Sequence, residues 1–231
     1  MIAAVAVCPH PPLLFRELTG QRDVAADLRA ACWSAITSVT AADPDVVVVV
    51  GGAEDTRAWD PSLSPEVRRF GTTGATGAAD RPGLPLSLGV ASRLLQECGW
   101  GGKVEQHAIA FDASAGAVAG LATQLAGRPE RIVLVVMGDG SARRGDKAPG
   151  YVDERAFPFD EATARALSRG DLAALMGMDA ALAEELMVGC RAAFAVMATA
   201  LHQEDATPTA MVTFQDDPWG VMYFVATWQL T

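Results

Sequence analysis

A chain of 231 residues, half of them hydrophobic, is long enough for one α/β domain whose core folds on its own. Its 18 basic and 28 acidic side chains leave a net charge of −10, and the arginines are scattered, so a nucleic-acid partner, which needs a positive patch, is not expected. No apolar run approaches the roughly 20 residues of a membrane-spanning helix, and no membrane association is expected.

Ile2 to Cys8 is a short apolar run with no basic residue ahead of it, and it leads straight into Pro9-His10-Pro11-Pro12. It is too short for the apolar region of a signal peptide and fits a buried strand. A helical pattern follows over Val24 to Thr40, then a second buried strand over Val46 to Val50 that ends in Gly51-Gly52. From Glu54 to Pro85 the chain is rich in Gly, Thr, Pro and Asp, which predicts a loop excursion; the low complexity of residues 71–77 marks its most mobile part.

Leu86 to Glu97 reads as a helix, Lys103 to Gln106 as a strand leading to His107, and Ser114 to Leu125 as a further helix. Ile132 to Met137 is the third strongly buried strand and ends in Gly138-Asp139-Gly140-Ser141-Ala142. Residues 141–157 form a mixed-charge loop directly after that strand, a place where sites tend to lie. The helical pattern resumes over 159–201, with Asp160 as N-cap, a break near Gly170 and one long helix from about Asp179 to Leu201. Two β-branched, aromatic segments, 210–214 and 221–228, close the chain as an antiparallel hairpin.

Strand-helix alternation implies a single domain over 1–231: a mainly parallel central sheet with helices on both faces and a C-terminal antiparallel hairpin. In such sheets ligands bind beyond the carboxyl ends of the strands. His10, Glu54 with Asp55, and Asp139 with Ser141 each follow a strand, so they are candidates for one cleft. His10 is held between prolines; its alternative is a surface histidine with an ordinary hydrogen bond. Glu54 and Asp55 could be ligands or a general base, but a Gly turn followed by a solvated acidic cap accounts for them more simply. The double glycine belongs to no phosphate-loop or dinucleotide motif, and Ser141 lacks the G-x-S-x-G setting of a hydrolase nucleophile. His107 and His202 read as structural. Cys8, Cys32, Cys98 and Cys190 are spread through apolar stretches without a C-x-x-C pair, which fits reduced thiols and a cytoplasmic protein.

These pieces occur in the order found in the subunit-B-like family of class III extradiol ring-cleavage dioxygenases and the related MEMO-like proteins, which the chain resembles over nearly its whole length. Pro9-His10-Pro11-Pro12 is similar to the family segment whose His ligates non-haem iron, which implies a ligand role for His10. The family's second ligand His is absent from Gly51-Gly52-Ala53-Glu54-Asp55. Its catalytic His, at the end of a G-D-x-S-H motif, is replaced by Ala142 after Gly138-Asp139-Gly140-Ser141. The glutamate ligand on a late helix has its nearest counterpart in Glu185, with Glu184 second.

The resemblance therefore implies a divergent dioxygenase-like protein without ring cleavage, its catalytic candidates reduced to Asp139 and Ser141. Ferrous iron is the cofactor the family implies. A divalent ion on His10, Glu54, Asp55 and Glu185, or no metal at all, both stay open, and so does an altered oxidoreductase against a binding module. A small aromatic or other small-molecule ligand is the expected partner. The family often dimerises; Trp219, Met222 and Trp228 could serve the core or a homodimer interface, and the core has the stronger claim.

Overall fold

The structure, a computed structural model, describes residues 1–65, 67 and 83–230. Strands β1 (Ile2–Cys8), β2 (Val46–Ala53), β3 (Arg57–Trp59), β4 (Lys103–Ala110), β5 (Ile132–Met137), β6 (Pro208–Asp216) and β7 (Tyr223–Leu230) form one sheet in the order β3-β4-β2-β5-β1-β7-β6. The four central strands β4, β2, β5 and β1 run parallel, while β3 pairs antiparallel with β4, β7 with β1 and β6 with β7. The protein is thus α/β with a mixed seven-stranded sheet, a mainly parallel core and a C-terminal antiparallel pair.

Period-two alternation sends successive side chains of each buried strand into two cores. Val5, Val7, Val48, Val50, Leu134 and Val136 face one; Ala4, Ala6, Cys8, Val47, Val49, Val133 and Val135 face the other. A register irregularity between Ile2 and Ala4 puts Ile2 on the same side as Val5. Helices α1 (Ala26–Thr40) and α2 (Leu86–Glu97) cover the second face. The first is covered by α3 (Ala115–Leu125), α4 (Ala156–Arg169), α5 (Leu172–Met176) and α7 (Arg191–Gln203). Burying each Val or Leu is worth about 1.5–3 kcal/mol, which is why these runs fix the sheet. Met222 and Trp228 are core residues, and the indole of Trp228 donates to the Leu167 carbonyl at 2.9 Å, locking β7 to α4.

Several local expectations need correction. The excursion after β2 contains the short strand β3, because β2 runs on to Ala53 and β4 to Ala110, leaving an edge for β3 to pair with. The segment 71–77 lies outside the described residues. Asp160 does not cap a helix: α4 begins at Ala156, and Asp160 is buried within it, bonded to Ser141. The single helix expected from Asp179 to Leu201 is two, α6 (Ala180–Glu185) and α7, separated by a turn in which Met187 has φ 56°. Close packing requires that break. A Cβ at Gly138, at the end of β5, would meet the Cα of Cys190 at 2.6 Å, so the turn presses directly on the strand end.

Candidate ligand cavity

The carboxyl ends of β1, β5 and β4 open into one cavity of about 1170 Å³. Its polar floor comes from His10, Asp139 and Tyr223. Phe111, Val118, Met176, Met187 and Val188 supply much of its apolar wall, and Asp112, Glu184 and Arg191 its charged groups. This is where an open α/β sheet ordinarily binds ligands.

His10 is held from both sides. Behind it, the buried guanidinium of Arg29 donates to the carbonyls of Leu13 and Leu14 at 3.0 and 3.1 Å, fixing the proline-rich segment against α1. In front, its main-chain N–H donates to Asp139 Oδ1 at 2.8 Å. The imidazole is 9% exposed, and its Nδ1 lies 3.6 Å from the same oxygen, too far for a hydrogen bond, with no other partner. Burial pushes the Asp139 carboxyl up, and the nearby His10 opposes that shift.

Tyr223 was not anticipated as a site residue. It opens β7, the strand paired antiparallel with β1, and lines the cavity together with His10 and Asp139. Burial, with the Asp139 charge adding to it, pushes its phenol up. Its signal in the sequence was a lone tyrosine among apolar neighbours, which without the register is indistinguishable from a core residue. Arg191 was also missed; it donates to the carbonyls of Phe111 and Ala113 at 2.7 and 3.3 Å and so ties α7 to the loop after β4.

The remaining sequence candidates lie elsewhere. Ser141 is fully buried and is not part of the cavity wall; its N–H and Oγ donate to Asp160 at 2.9 and 2.5 Å. It anchors the loop to α4 and is not presented to a ligand. Glu54 and Asp55 follow the end of β2 on the exposed surface, where Asp55 pairs with Arg57 at 3.1 Å. Glu185 points outward and pairs with Arg155 at 2.7 Å, whereas its neighbour Glu184 lines the cavity. His107, on β4, is partly buried and stands 4.0 Å from Glu105, and burial lowers its pKa; His202 is exposed in the last turn of α7.

The donors for the implied iron do not come together. Among the described residues no three His, Cys, Asp or Glu side chains are grouped to hold a metal ion, and His10, Glu54, Asp55 and Glu185 are not a ligand set. At Gly51 and Gly52, near the end of β2, a side chain would crowd its neighbours. A Cβ on Gly52 would lie 2.5 Å from the Phe111 ring and 3.1 Å from the Gly189 carbonyl, and one on Gly51 would lie 2.5 Å from Ser87 Oγ. Ala142, where the resemblance would set a catalytic histidine, lines the cavity. The residues present therefore do not fit an extradiol iron centre.

No protein-family profile matches the chain, and no curated protein matches it. Among solved structures it is similar to an uncharacterized protein from Escherichia coli K12, with 14% identity and a TM-score of 0.54, over 98% of this chain and 99% of that one. At that identity the likeness establishes a shared fold. Among the described residues no helix is long and apolar enough to cross a membrane.

Proposed function

We propose that this chain is a divergent extradiol-dioxygenase-like protein that binds a small molecule at its strand ends and does not cleave aromatic rings. One observation carries the reading: a cavity of about 1170 Å³ with an apolar wall has His10, Asp139 and Tyr223 at its floor, and among the described residues no three His, Cys, Asp or Glu side chains are grouped to hold a metal ion. Ring cleavage by this family's route needs iron on two imidazoles and a carboxylate, with a base to move the phenol and peroxide protons. A large, mostly apolar cavity with a few convergent polar groups is instead what small-molecule recognition requires. Cytoplasmic residence belongs to the same reading and is supported by four cysteines that are all free thiols.

The test is direct. Purified protein supplied with ferrous ion and catechol under air is expected to consume no more oxygen than the same mixture without protein, and its melting temperature is expected to ignore Fe(II), Mn(II) and Zn(II). A thermal-shift screen of small molecules is expected to give saturable stabilisation by compounds that compete with one another. Catechol-dependent oxygen uptake above the protein-free background, or a screen in which no compound stabilises the protein, overturns the proposal.

A further inference from the structure

We infer that the cavity's ligand is a primary organic amine, an ammonium head on an apolar body, held by Asp139, His10 and Tyr223. The inference rests on the proposal that the cavity binds a small molecule and names the chemistry it selects.

Three features of the floor converge on an ammonium. Asp139 uses Oδ1 for the His10 N–H, and among the described residues no donor is bonded to Oδ2. The His10 imidazole is nine-tenths buried and lines the cavity. Its Nδ1 is buried without a hydrogen-bond partner, 3.6 Å from Asp139 Oδ1, and among the described residues no hydrogen bond engages Nε2, which we take as the nitrogen open to a ligand. Tyr223 brings a phenol from the neighbouring strand β7, and among the described residues its hydroxyl has no hydrogen-bond partner. An ammonium carries three donors and no acceptor, and these groups supply three acceptors: a carboxylate oxygen, an imidazole nitrogen and a phenol oxygen.

Charge selects in the same direction. The carboxylates lining the cavity are Asp112, Asp139 and Glu184, against the single guanidinium of Arg191, whose NH2 group is committed to the carbonyls of Phe111 and Ala113. Apolar walls confine the field of those carboxylates and strengthen it relative to water, so an anion is repelled and a cation drawn in. The wall of Phe111, Val118, Met176 and Val188 then takes the apolar body of the ligand.

The experiment compares three probes with one apolar chain, octylamine, octanol and octanoate, by isothermal titration calorimetry on the intact protein. Octylamine is expected to bind about tenfold tighter than octanol, as a charge-assisted contact replaces a neutral one, and octanoate is expected not to bind. Asp139→Asn is expected to remove the advantage of the amine over the alcohol. Octanol or octanoate binding as tightly as octylamine overturns the amine inference and leaves the small-molecule reading standing. If none of the three binds, the inference falls, and the thermal-shift screen decides separately whether the cavity takes any small molecule. The wild-type comparison decides the matter without the variant if Asp139→Asn fails to fold.

Discussion

Asp139 Oδ1 accepts the main-chain N–H of His10 at 2.8 Å, while the imidazole Nδ1 of the same histidine stands 3.6 Å away with no hydrogen-bond partner. The carboxylate thus fixes the backbone after β1, and its charge is only weakly answered. Burial raises its pKa above the ordinary 3.8, so the folded state holds the proton more tightly than the unfolded chain. Its contribution to stability therefore falls as pH rises from the unfolded value through the folded one. Asp139→Asn, which keeps an oxygen for the His10 N–H and removes the charge, is expected to melt at or above wild type at pH 7. Asp139→Ala leaves that N–H unsatisfied and is expected to lose about 1–3 kcal/mol. Thermal melts of the two variants in one buffer check the order.

Ser141 and Asp160 give the opposite case, a serine whose work is structural. Asp160 is fully buried and accepts from the Ser141 N–H and Oγ and, at 3.3 Å, from Arg144. Burial pushes its carboxyl up, and these donors oppose the shift. Ser141→Ala removes one of the donors from a buried acceptor and is expected to cost about 1–3 kcal/mol in urea denaturation. Ligand affinity of the folded variant is expected to match wild type, because Ser141 is not part of the cavity wall. An unchanged denaturation midpoint with lost binding would contradict this assignment.

The Glu105–Arg128 pair sets an acid-side prediction. Arg128 grips Glu105 with two bonds of 2.7 and 3.2 Å, and Lys103 adds an ion pair at 2.8 Å. Chiefly through the Arg128 hydrogen bonds, the Glu105 carboxyl falls from 4.5 to about 2. A depressed carboxyl stabilises the fold above its unfolded pKa, and that contribution disappears as pH falls from about 4.5 to about 2. Because the pair is partly exposed to solvent, its worth is discounted to roughly 1 kcal/mol or less. Glu105→Gln is expected to be slightly less stable than wild type at pH 7, with the gap closing below pH 3; urea titrations at both pH values measure it.

Where hydrophobic patterning alone decides structure, the sequence was enough. The runs Ile2–Cys8 and Ile132–Met137 are β1 and β5 with those bounds, and Leu86–Glu97 is α2. The single long helix expected from about Asp179 to Leu201 failed because the Ala- and Leu-rich pattern carries no sign of the strand end at Gly138 that the turn must accommodate. Asp160 looked like a cap because a buried aspartate and a helix-initiating one are the same residue type until a distant Ser141 is known to meet it. The site divides along the same line. His10 and Asp139 sit immediately after buried strands, so strand position alone brings them to the cavity. Glu54 also follows a strand, but β2 runs three residues beyond Val50 and delivers it to the surface. Tyr223 needed the antiparallel register, which is a property of two segments more than 200 residues apart.

Gly52 and Phe111 hold the last of these relationships, at the place where the resembled family carries its second ligand. A Cβ on Gly52 would sit 2.5 Å from Phe111 Cε1, inside any tolerable contact, and 3.1 Å from the Gly189 carbonyl. Gly52→Ala is therefore expected to cost about 1–3 kcal/mol through overpacking. Phe111 is 43% exposed and lies on the cavity wall, so Phe111→Ala is expected to cost less than a core aromatic would. Removing the ring relieves the closer of the two clashes, which predicts non-additivity: Gly52→Ala should be milder in the Phe111→Ala background by at least about 0.5 kcal/mol. A double-mutant cycle in urea measures the coupling. Strict additivity would mean that the Gly189 carbonyl, and not the aromatic ring, keeps a side chain out of this position.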